Sequence, residues 1–256
     1  MEYSIATYFL LFMVYSIAGW LMEVTCKSIQ AKKFINRGFM IGPYCPIYGW
    51  GAITITLLLH RYTNDWVVLF FMSMITCGIL EYTTSYVMEK LFHARWWDYS
   101  KRKYNINGRV CLETLVPFGI LGIIVMYVTN PFILSNLTKI PENILNIIAI
   151  ILFALFSIDG AISLKVVSNV RSTSTKLNKE NDTRQDNTEE ITAKVKEILR
   201  GKSILNRRLI NAYPDLQAKI KQRKEEIREK TEEVKENIKN KIDEAKEKSR
   251  KDNKNK

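Results

Sequence analysis

The sequence is poor in the residues that build metal centres. Its 256 residues include two histidines and four cysteines. No two of the cysteines form a Cys-x-x-Cys pair; they are Cys26, Cys45, Cys77 and Cys111. Structural zinc sites need closely spaced Cys and His ligands. We therefore expect no metal site in this chain.

Common nucleotide-binding and catalytic motifs are also missing. The segment LRGKS at 199–203 lacks the first glycine of the pattern G-x-x-x-x-G-K-[ST], because Lys196 stands there. The sequence therefore predicts no ATPase site of this type and no cofactor. It also has no Gly-x-Ser-x-Gly element. These absences favour a protein that is not an enzyme, without excluding one.

The formal net charge of +12 does not indicate a nucleic-acid partner, since no basic patch is interleaved with aromatic residues. A mean hydropathy near zero hides two unlike halves. Residues 1–167 carry nearly all the large apolar side chains, and residues 168–256 are dominated by Lys, Glu, Asn, Arg and Asp. This division predicts a transmembrane domain, 1–167, followed by a polar tail.

Five apolar runs in the first half predict an all-α, polytopic membrane protein. A helix needs about 20 apolar residues to cross a hydrocarbon core of about 30 Å. The second run is short, because fourteen residues cover only about 21 Å. The first run lacks the basic start and the cleavage site of a signal peptide, so we predict that it is retained. The predicted spans are 3–24, 46–59, 66–88, 111–134 and 144–167.

The polar half is predicted to have two parts. Residues 168–190 are poor in apolar residues and predict a flexible linker. Residues 191–256 predict a charged helical tail. In its first part Leu205, Leu209 and Ala212 share one face, as in helices that lie on a membrane surface. Farther on, Lys/Glu pairs and a thin apolar seam favour a solvated helix or a weak coiled-coil contact with a partner or a second copy.

The distribution of Lys and Arg predicts the orientation. The connections after the first and third runs are basic, as is the tail, whereas the other two connections hold only Arg61 and Lys139. Basic connections usually face the cytoplasm. We therefore predict an external N-terminus, with both long connections and the tail in the cytoplasm. Three of the cysteines then lie near the reducing side, so no disulfide is expected.

The connection after the third run is rich in aromatic and basic residues. Trp96 and Trp97 are predicted to lie at the membrane interface, with their rings apolar and their N–H groups wet. The basic residues at 101–103 suit anionic headgroups, so membrane lipids are expected partners. Lipid contact leaves Asp98 and the glycine before Arg109 unexplained.

Charged residues in or beside the predicted spans are the strongest functional signal. An ionisable residue at the centre of a span costs about 2.5–3.5 kcal/mol on insertion scales, and it usually faces protein or a water-filled cavity. Glu81 lies farther from the cytoplasmic end of its span than Glu89, so we single it out. A planar guanidinium holds a carboxylate well. The candidates for a substrate or ion cavity are Glu23, Arg37, Glu81, Ser85, Glu89, Asp98, Arg109 and Asp159.

Two interpretations of these residues stay open. They form ion pairs that only fix the connections onto the bundle, or they line a cytoplasm-facing cavity that binds a substrate or ion. The segment GPYCPIYGWG at 42–51 also allows two interpretations. It predicts a tight turn or a re-entrant segment, in either case with Pro46 in the first turn of the second helix.

Three blocks resemble a known family: NRGFMIGPYCPIYGWG at 36–51, LEYTTSYVMEKLFHARWWDYS at 80–100 and NINGRVCLE at 105–113. The family consists of small bacterial membrane proteins catalogued as ABC-transporter permeases of the CmpB-like, type IV kind. The resemblance covers about residues 5–165. The segment GKSILNRRLINAYPDL at 201–216 is also similar to some members. Phe118 stands where members commonly carry Trp.

This resemblance implies a permease-like component of the bacterial cytoplasmic membrane. Any ATP-driven role would need a separate ATP-binding subunit, because the sequence encodes no ATPase site of its own. Two alternatives remain. One is a membrane-embedded enzyme that acts on a lipid-type substrate, and the other is a non-transporting scaffold or regulator that acts through its tail. A homo-oligomer is compatible with each of them.

Overall fold

Helices form most of the described chain. The computed structural model describes residues 3–92, 94–180, 188–213, 216–218 and 232. The helices are α1 (Ile5–Ala31), α2 (Pro46–Leu58), α3 (Trp66–Phe92), α4 (Leu112–Ile124), α5 (Asn130–Leu137), α6 (Glu142–Glu180), α7 (Thr188–Lys202) and α8 (Ile204–Ala212). The short strands are β1 (Ala94–Arg95), β2 (Asn105–Ile106), β3 (Val110–Cys111) and β4 (Gln217–Ala218). Strands β2 and β3 form an antiparallel hairpin, and β1 pairs with β4.

The long helices confirm the all-α, polytopic membrane class. Within the described residues, four helical segments are long and apolar enough to cross a membrane: Ile5–Ala31, Trp66–Phe92, Leu112–Leu137 and Glu142–Leu177. The second predicted run forms α2, which has 13 residues and is apolar but shorter than these four. Its length agrees with the short run seen in the sequence.

The third of these segments, Leu112–Leu137, contains a π-helical turn at Val125–Thr129 between α4 and α5. Pro131 lies two residues after this turn, and its missing N–H interrupts the regular hydrogen bonding of an α-helix. The turn leaves Thr129 and the buried Asn130 beside Tyr15 of α1. The Tyr15 hydroxyl lies 2.6 Å from Thr129 Oγ1 and donates to Asn130 Oδ1 over 2.7 Å. These bonds join the fourth run to α1 inside the bundle.

Small residues let α1 and α2 approach closely. A Cβ added at Gly19 would lie 2.3 Å from the ring of Tyr48, and one at Gly49 would lie 2.3 Å from Ser16 Oγ. Small residues at helix contacts are typical of packing within membranes, where van der Waals contact drives association. The contact places the Tyr48 side chain directly against α1.

Helix α6 extends beyond the predicted fifth span. Residues 168–180 are helical, where the sequence predicts a flexible linker. The reason is that Val167 and Val170 are fully buried in one cluster with Val195 and Leu199 of α7. The composition average had concealed these apolar positions. Residues 181–187 and most of the predicted charged helix and coiled-coil seam, after residue 218, lie outside the described residues. The division into domains stays a prediction.

The predicted orientation can be tested because Asn64 and Lys101 are exposed near opposite ends of α3. In a cysteine-free background, we expect Asn64→Cys to react with a membrane-impermeant maleimide in intact cells. We expect Lys101→Cys to react only after permeabilisation, because connections rich in Lys and Arg usually face the cytoplasm. Labelling of Lys101→Cys from outside would reverse the orientation.

Candidate functional site

A cavity of about 320 Å³ lies between α1, α2, α3 and the α4–π segment. Most of its wall is carbon, supplied by residues such as Ile55, Leu121 and Ile124. We call the end of the bundle that carries connections 32–45 and 94–111 the basic end. The cavity reaches from Tyr213 at this end to Tyr15 in the middle of α1.

Three charged side chains border the cavity: Glu23, Arg37 and Glu81. Glu23 and Tyr15 are eight residues apart in α1, or about 12 Å along a helix. The charges therefore lie in the half near the basic end. The deeper half is mostly apolar, and its hydroxyl groups on Tyr15 and Thr129 hydrogen-bond to each other. Of the eight predicted site residues, the structure brings only these three to the cavity wall.

Glu81 is the most buried of these acids, with 6% of its surface exposed. The Tyr99 hydroxyl donates to Oε1 over 3.3 Å, and Thr114 Oγ1 lies 3.3 Å from Oε2. The Thr114 hydroxyl is also 2.9 Å from the carbonyl oxygen of Cys111, so its single proton is shared between two acceptors. Within the described ranges, no Lys, Arg or His nitrogen lies within 4.0 Å of the Glu81 carboxyl group.

Tyr99 is held as a donor by its surroundings. Burial raises the pKa of its hydroxyl above the ordinary value, and the nearby Glu81 and Glu23 carboxylates raise it further. The hydroxyl therefore keeps its proton at neutral pH. Sequence analysis did not single out Tyr99, although it follows Asp98 directly in the connection between α3 and α4.

Glu23 differs from Glu81 because it has a cationic partner. Arg37 Nε lies 3.3 Å from Glu23 Oε2, and the Tyr48 hydroxyl donates to Oε1 over 2.7 Å. Arg37 also donates from Nη1 to the carbonyl oxygen of Ala212 over 2.7 Å, and its guanidinium carbon lies 5.0 Å from the centre of the Tyr213 ring. The charges of Glu23 and Arg37 thus compensate each other in the cavity wall.

A second charged cluster, formed by Glu89, Arg95, Asp98 and Arg109, fixes the α3–α4 connection. Arg95 contacts Glu89 at 2.9 Å and Asp98 at 3.2 Å. Arg109 contacts Glu89 at 3.1 Å and donates to Ser85 Oγ over 3.1 Å. These residues do not border the cavity, and they agree with the ion-pair interpretation. Sequence analysis missed Arg95, whose spacing of three residues from Asp98 was the available signal.

The backbone conformation of Gly108 explains why a glycine precedes Arg109. Its φ of +65° lies in the left-handed region, which side chains other than glycine rarely adopt. A Cβ there would lie 2.4 Å from Ser100 Oγ and 2.5 Å from Asp98 Oδ1. The glycine therefore lets the turn close against Asp98 and directs Arg109 back toward α3.

Asp159 of α6 fixes the turn that precedes α2. Its carboxylate accepts hydrogen bonds from the backbone N–H groups of Ile41, over 3.0 Å, and Gly42, over 2.7 Å. It also accepts from the Tyr44 hydroxyl and from Ser163 Oγ, the latter over 2.8 Å. Asp159 is absent from the cavity wall, so its contacts support the turn interpretation of the segment at 42–51. Pro46 begins α2, as the sequence predicts.

Trp96 is covered by protein, unlike the interface aromatic that the sequence predicts. Its exposed fraction is 3%, and its ring packs edge-to-face against Tyr213 at 4.9 Å and Phe39 at 5.9 Å. The reason is that the segment after α8 lies on it. Trp97 is half-buried, borders the cavity and donates from Nε1 to the carbonyl oxygen of Arg109 over 3.1 Å.

The α7–α8 segment packs on the basic end of the bundle. Leu209, Ile210 and Ala212 of α8 are each 2% exposed or less. Arg208 Nη2 donates to the carbonyl oxygen of Met40 over 2.5 Å. The apolar face that the sequence assigns to a lipid surface therefore contacts protein, and it brings Tyr213 to the cavity wall.

Comparison with known proteins agrees with this architecture. A family model described as "Putative ABC-transporter type IV" matches residues 10–164, which is more than half of the chain. The match covers most of α1, all of α2, α3 and α4, and stops before α7. No curated protein and no solved structure matches.

The pairing of Arg109 can be tested by double-mutant cycles. Arg109→Ala should destabilise the protein by about 2 kcal/mol, because a buried hydrogen-bonded charge is lost while Arg95 still contacts Glu89. The Arg109→Ala/Glu89→Gln cycle should show a coupling energy above about 0.5 kcal/mol, and the Arg109→Ala/Glu81→Gln cycle should not. Reversible unfolding in mixed micelles measures the free energy of unfolding of each variant, and from these values both coupling energies. Coupling to Glu81 alone would contradict the observed pairing.

The position of the tail can be tested by cross-linking strands β1 and β4, in which Ala94 lies opposite Ala218. In a cysteine-free background, Ala94→Cys with Ala218→Cys should form a disulfide on mild oxidation, because opposed Cα atoms in antiparallel strands lie within disulfide reach. The matched control is Ala94→Cys with Gln217→Cys, since neighbouring residues point to opposite faces. Peptide mass mapping identifies the bond. Equal yields in both pairs would contradict this register.

Proposed function

This chain belongs to the family described as "Putative ABC-transporter type IV", and from that premise we propose that it is the membrane-embedded, substrate-binding component of a transporter. The cavity between α1, α2, α3 and α4 is its substrate site. The basic end faces the cytoplasm, as the distribution of Lys and Arg predicts. A separate ATP-binding subunit supplies the energy, because the sequence contains no phosphate-binding loop.

The observation that carries this proposal is the environment of Glu81. Asp159 accepts four hydrogen bonds, and Glu89 contacts two guanidinium groups. Glu81 has two hydroxyl neighbours at 3.3 Å, which is longer than an ordinary O–H···O bond. A buried carboxylate with so few donors is costly in an apolar bundle. Its place in a cavity wall supports a role in binding.

The contacts of the tail favour a second candidate function, regulation of the cavity by the tail. Tyr213 belongs to the cavity wall, and Arg37 joins Glu23 to the carbonyl oxygen of Ala212. A tail that moved away would expose the basic end of the cavity. This candidate is compatible with transport and with a non-transporting regulator.

The enzyme alternative gains no support from the thiol at the cavity wall. Cys45 is buried just before α2, and burial together with the Glu23 carboxylate raises the pKa of its thiol to about 12. A thiol of this kind stays protonated at neutral pH and is a poor nucleophile.

The transport proposal is tested by purifying the tagged chain from its native membranes in mild detergent. We expect an ATP-binding-cassette protein to co-purify in a fixed ratio, for wild type and for Glu81→Gln alike, because Glu81 is buried in the cavity. In a deletion strain, Glu81→Gln should fail to restore the phenotype that wild type restores.

Glu113→Gln is the matched control for that experiment, since Glu113 is exposed and pairs with the exposed Arg102 away from the cavity. It should restore the phenotype fully. Purification without any ATP-binding-cassette protein would contradict the transporter proposal. A Glu81→Gln variant with full function would contradict the assignment of the cavity as the substrate site.

A further inference from the structure

We propose that the cavity binds a small amphiphilic organic monocation, with the charged group at Glu81 and the apolar body directed toward Tyr15. This inference rests on the proposed function only in taking the cavity as a substrate site. It does not depend on an ATP-binding subunit.

The charge of the cavity wall selects a cation. Glu23 is compensated by Arg37, which lies 3.3 Å away, so an ionised Glu81 leaves one net negative charge among the residues that border the cavity. A buried carboxylate is stabilised when a cation pairs with it and its remaining lone pairs accept hydrogen bonds. One unpaired carboxylate suits one positive charge.

The charges behind the wall do not alter this balance. Where the α3–α4 connection meets α3, Glu89 of α3 and Asp98 of the connection contact Arg95 and Arg109, two acids for two cations. Asp159 is tied to the turn before α2 and borders no part of the cavity, and the nearby Arg208 opposes its charge. The net negative charge of the site is therefore that of Glu81.

The surroundings of Glu81 favour an organic cation over a metal ion. Tyr48, Trp97 and Tyr99 border the same half of the cavity, and aromatic rings attract organic ammonium groups. Within the part of the chain that the structure describes, His, Cys, Asp and Glu side chains nowhere form a group of three that would hold a metal ion. Hard metal ions prefer several oxygen ligands, whereas most of this wall is carbon.

The deeper half of the cavity defines the rest of the ligand. Ile55, Leu121 and Ile124 make it mostly apolar, and the volume of the whole cavity, about 320 Å³, lies at the lower end of the range for small-molecule sites. A ligand with one ring or a short hydrocarbon chain beside its charged group matches this division. An ion without an apolar body would leave the deeper wall uncovered.

The test compares three probes of similar size on the full chain in nanodiscs of zwitterionic lipid. Benzyltrimethylammonium is the cation, neopentylbenzene is its neutral isostere and benzenesulfonate is an anion. Binding is measured by calorimetry, with empty nanodiscs subtracted to remove partitioning into lipid. We expect the cation to bind at least tenfold more tightly than either of the other probes.

Two variants assign the binding to the site. Glu81→Gln should weaken binding of the cation at least tenfold, and Glu113→Gln, which neutralises an exposed carboxylate, should leave it unchanged. If Glu81→Gln does not yield monodisperse protein, the comparison of the three probes on wild type decides alone. Equal binding of cation and isostere, preference for the anion, no binding of any probe, or full binding by folded Glu81→Gln would each overturn the inference.

The two proposals can fail separately. Selective cation binding without a co-purifying ATP-binding-cassette protein would uphold the cation site and reject ATP-driven transport. A stoichiometric ATP-binding subunit without cation selectivity would uphold the transport component and reject the substrate class.

Discussion

A carboxylate inside an apolar helical bundle has to find its hydrogen-bond donors within the protein, and this requirement arranges much of the structure. Asp159 obtains donors from the turn before α2, and thereby fixes that turn to α6. Glu89 obtains two guanidinium groups from the α3–α4 connection. Glu23 obtains Arg37 and the Tyr48 hydroxyl. Each of these acids thus fixes one segment of the basic end to a helix.

The same requirement extends to the tail. Arg37 contacts Glu23 with one nitrogen and the carbonyl oxygen of Ala212 with another, so the neutralisation of one acid also holds the end of α8. The apolar face of α8 covers Trp96, and the ring of Tyr213 then reaches the cavity. These contacts form one connected set, from Glu23 through Arg37 and the end of α8 to the cavity wall.

The sequence predicts the helices better than the contacts between them. Apolar runs locate the spans because the thickness of a membrane sets their length, and Glu81 stands out because charge is rare there. Glu81 and Glu89 are eight residues apart, so they lie on one face of α3 about two helical turns from each other. This spacing does not show which of the two acids pairs with Arg109; in the structure it is Glu89. The burial of Trp96 depends on residues more than a hundred positions away. Local patterns do not contain such contacts.

The acids of the bundle all carry a carboxyl group, but their surroundings differ. The difference follows from the position of each acid relative to the cavity. Glu89 and Asp159 lie where a connection supplies its own donors, so their charge serves the fold. Glu81 lies on the same face of α3 as Glu89, but about two helical turns deeper, where the cavity wall is mostly carbon. No guanidinium of the described chain reaches it there. Folding therefore leaves this carboxylate with two hydroxyl neighbours and an open side, which is the condition for a ligand to supply the missing charge.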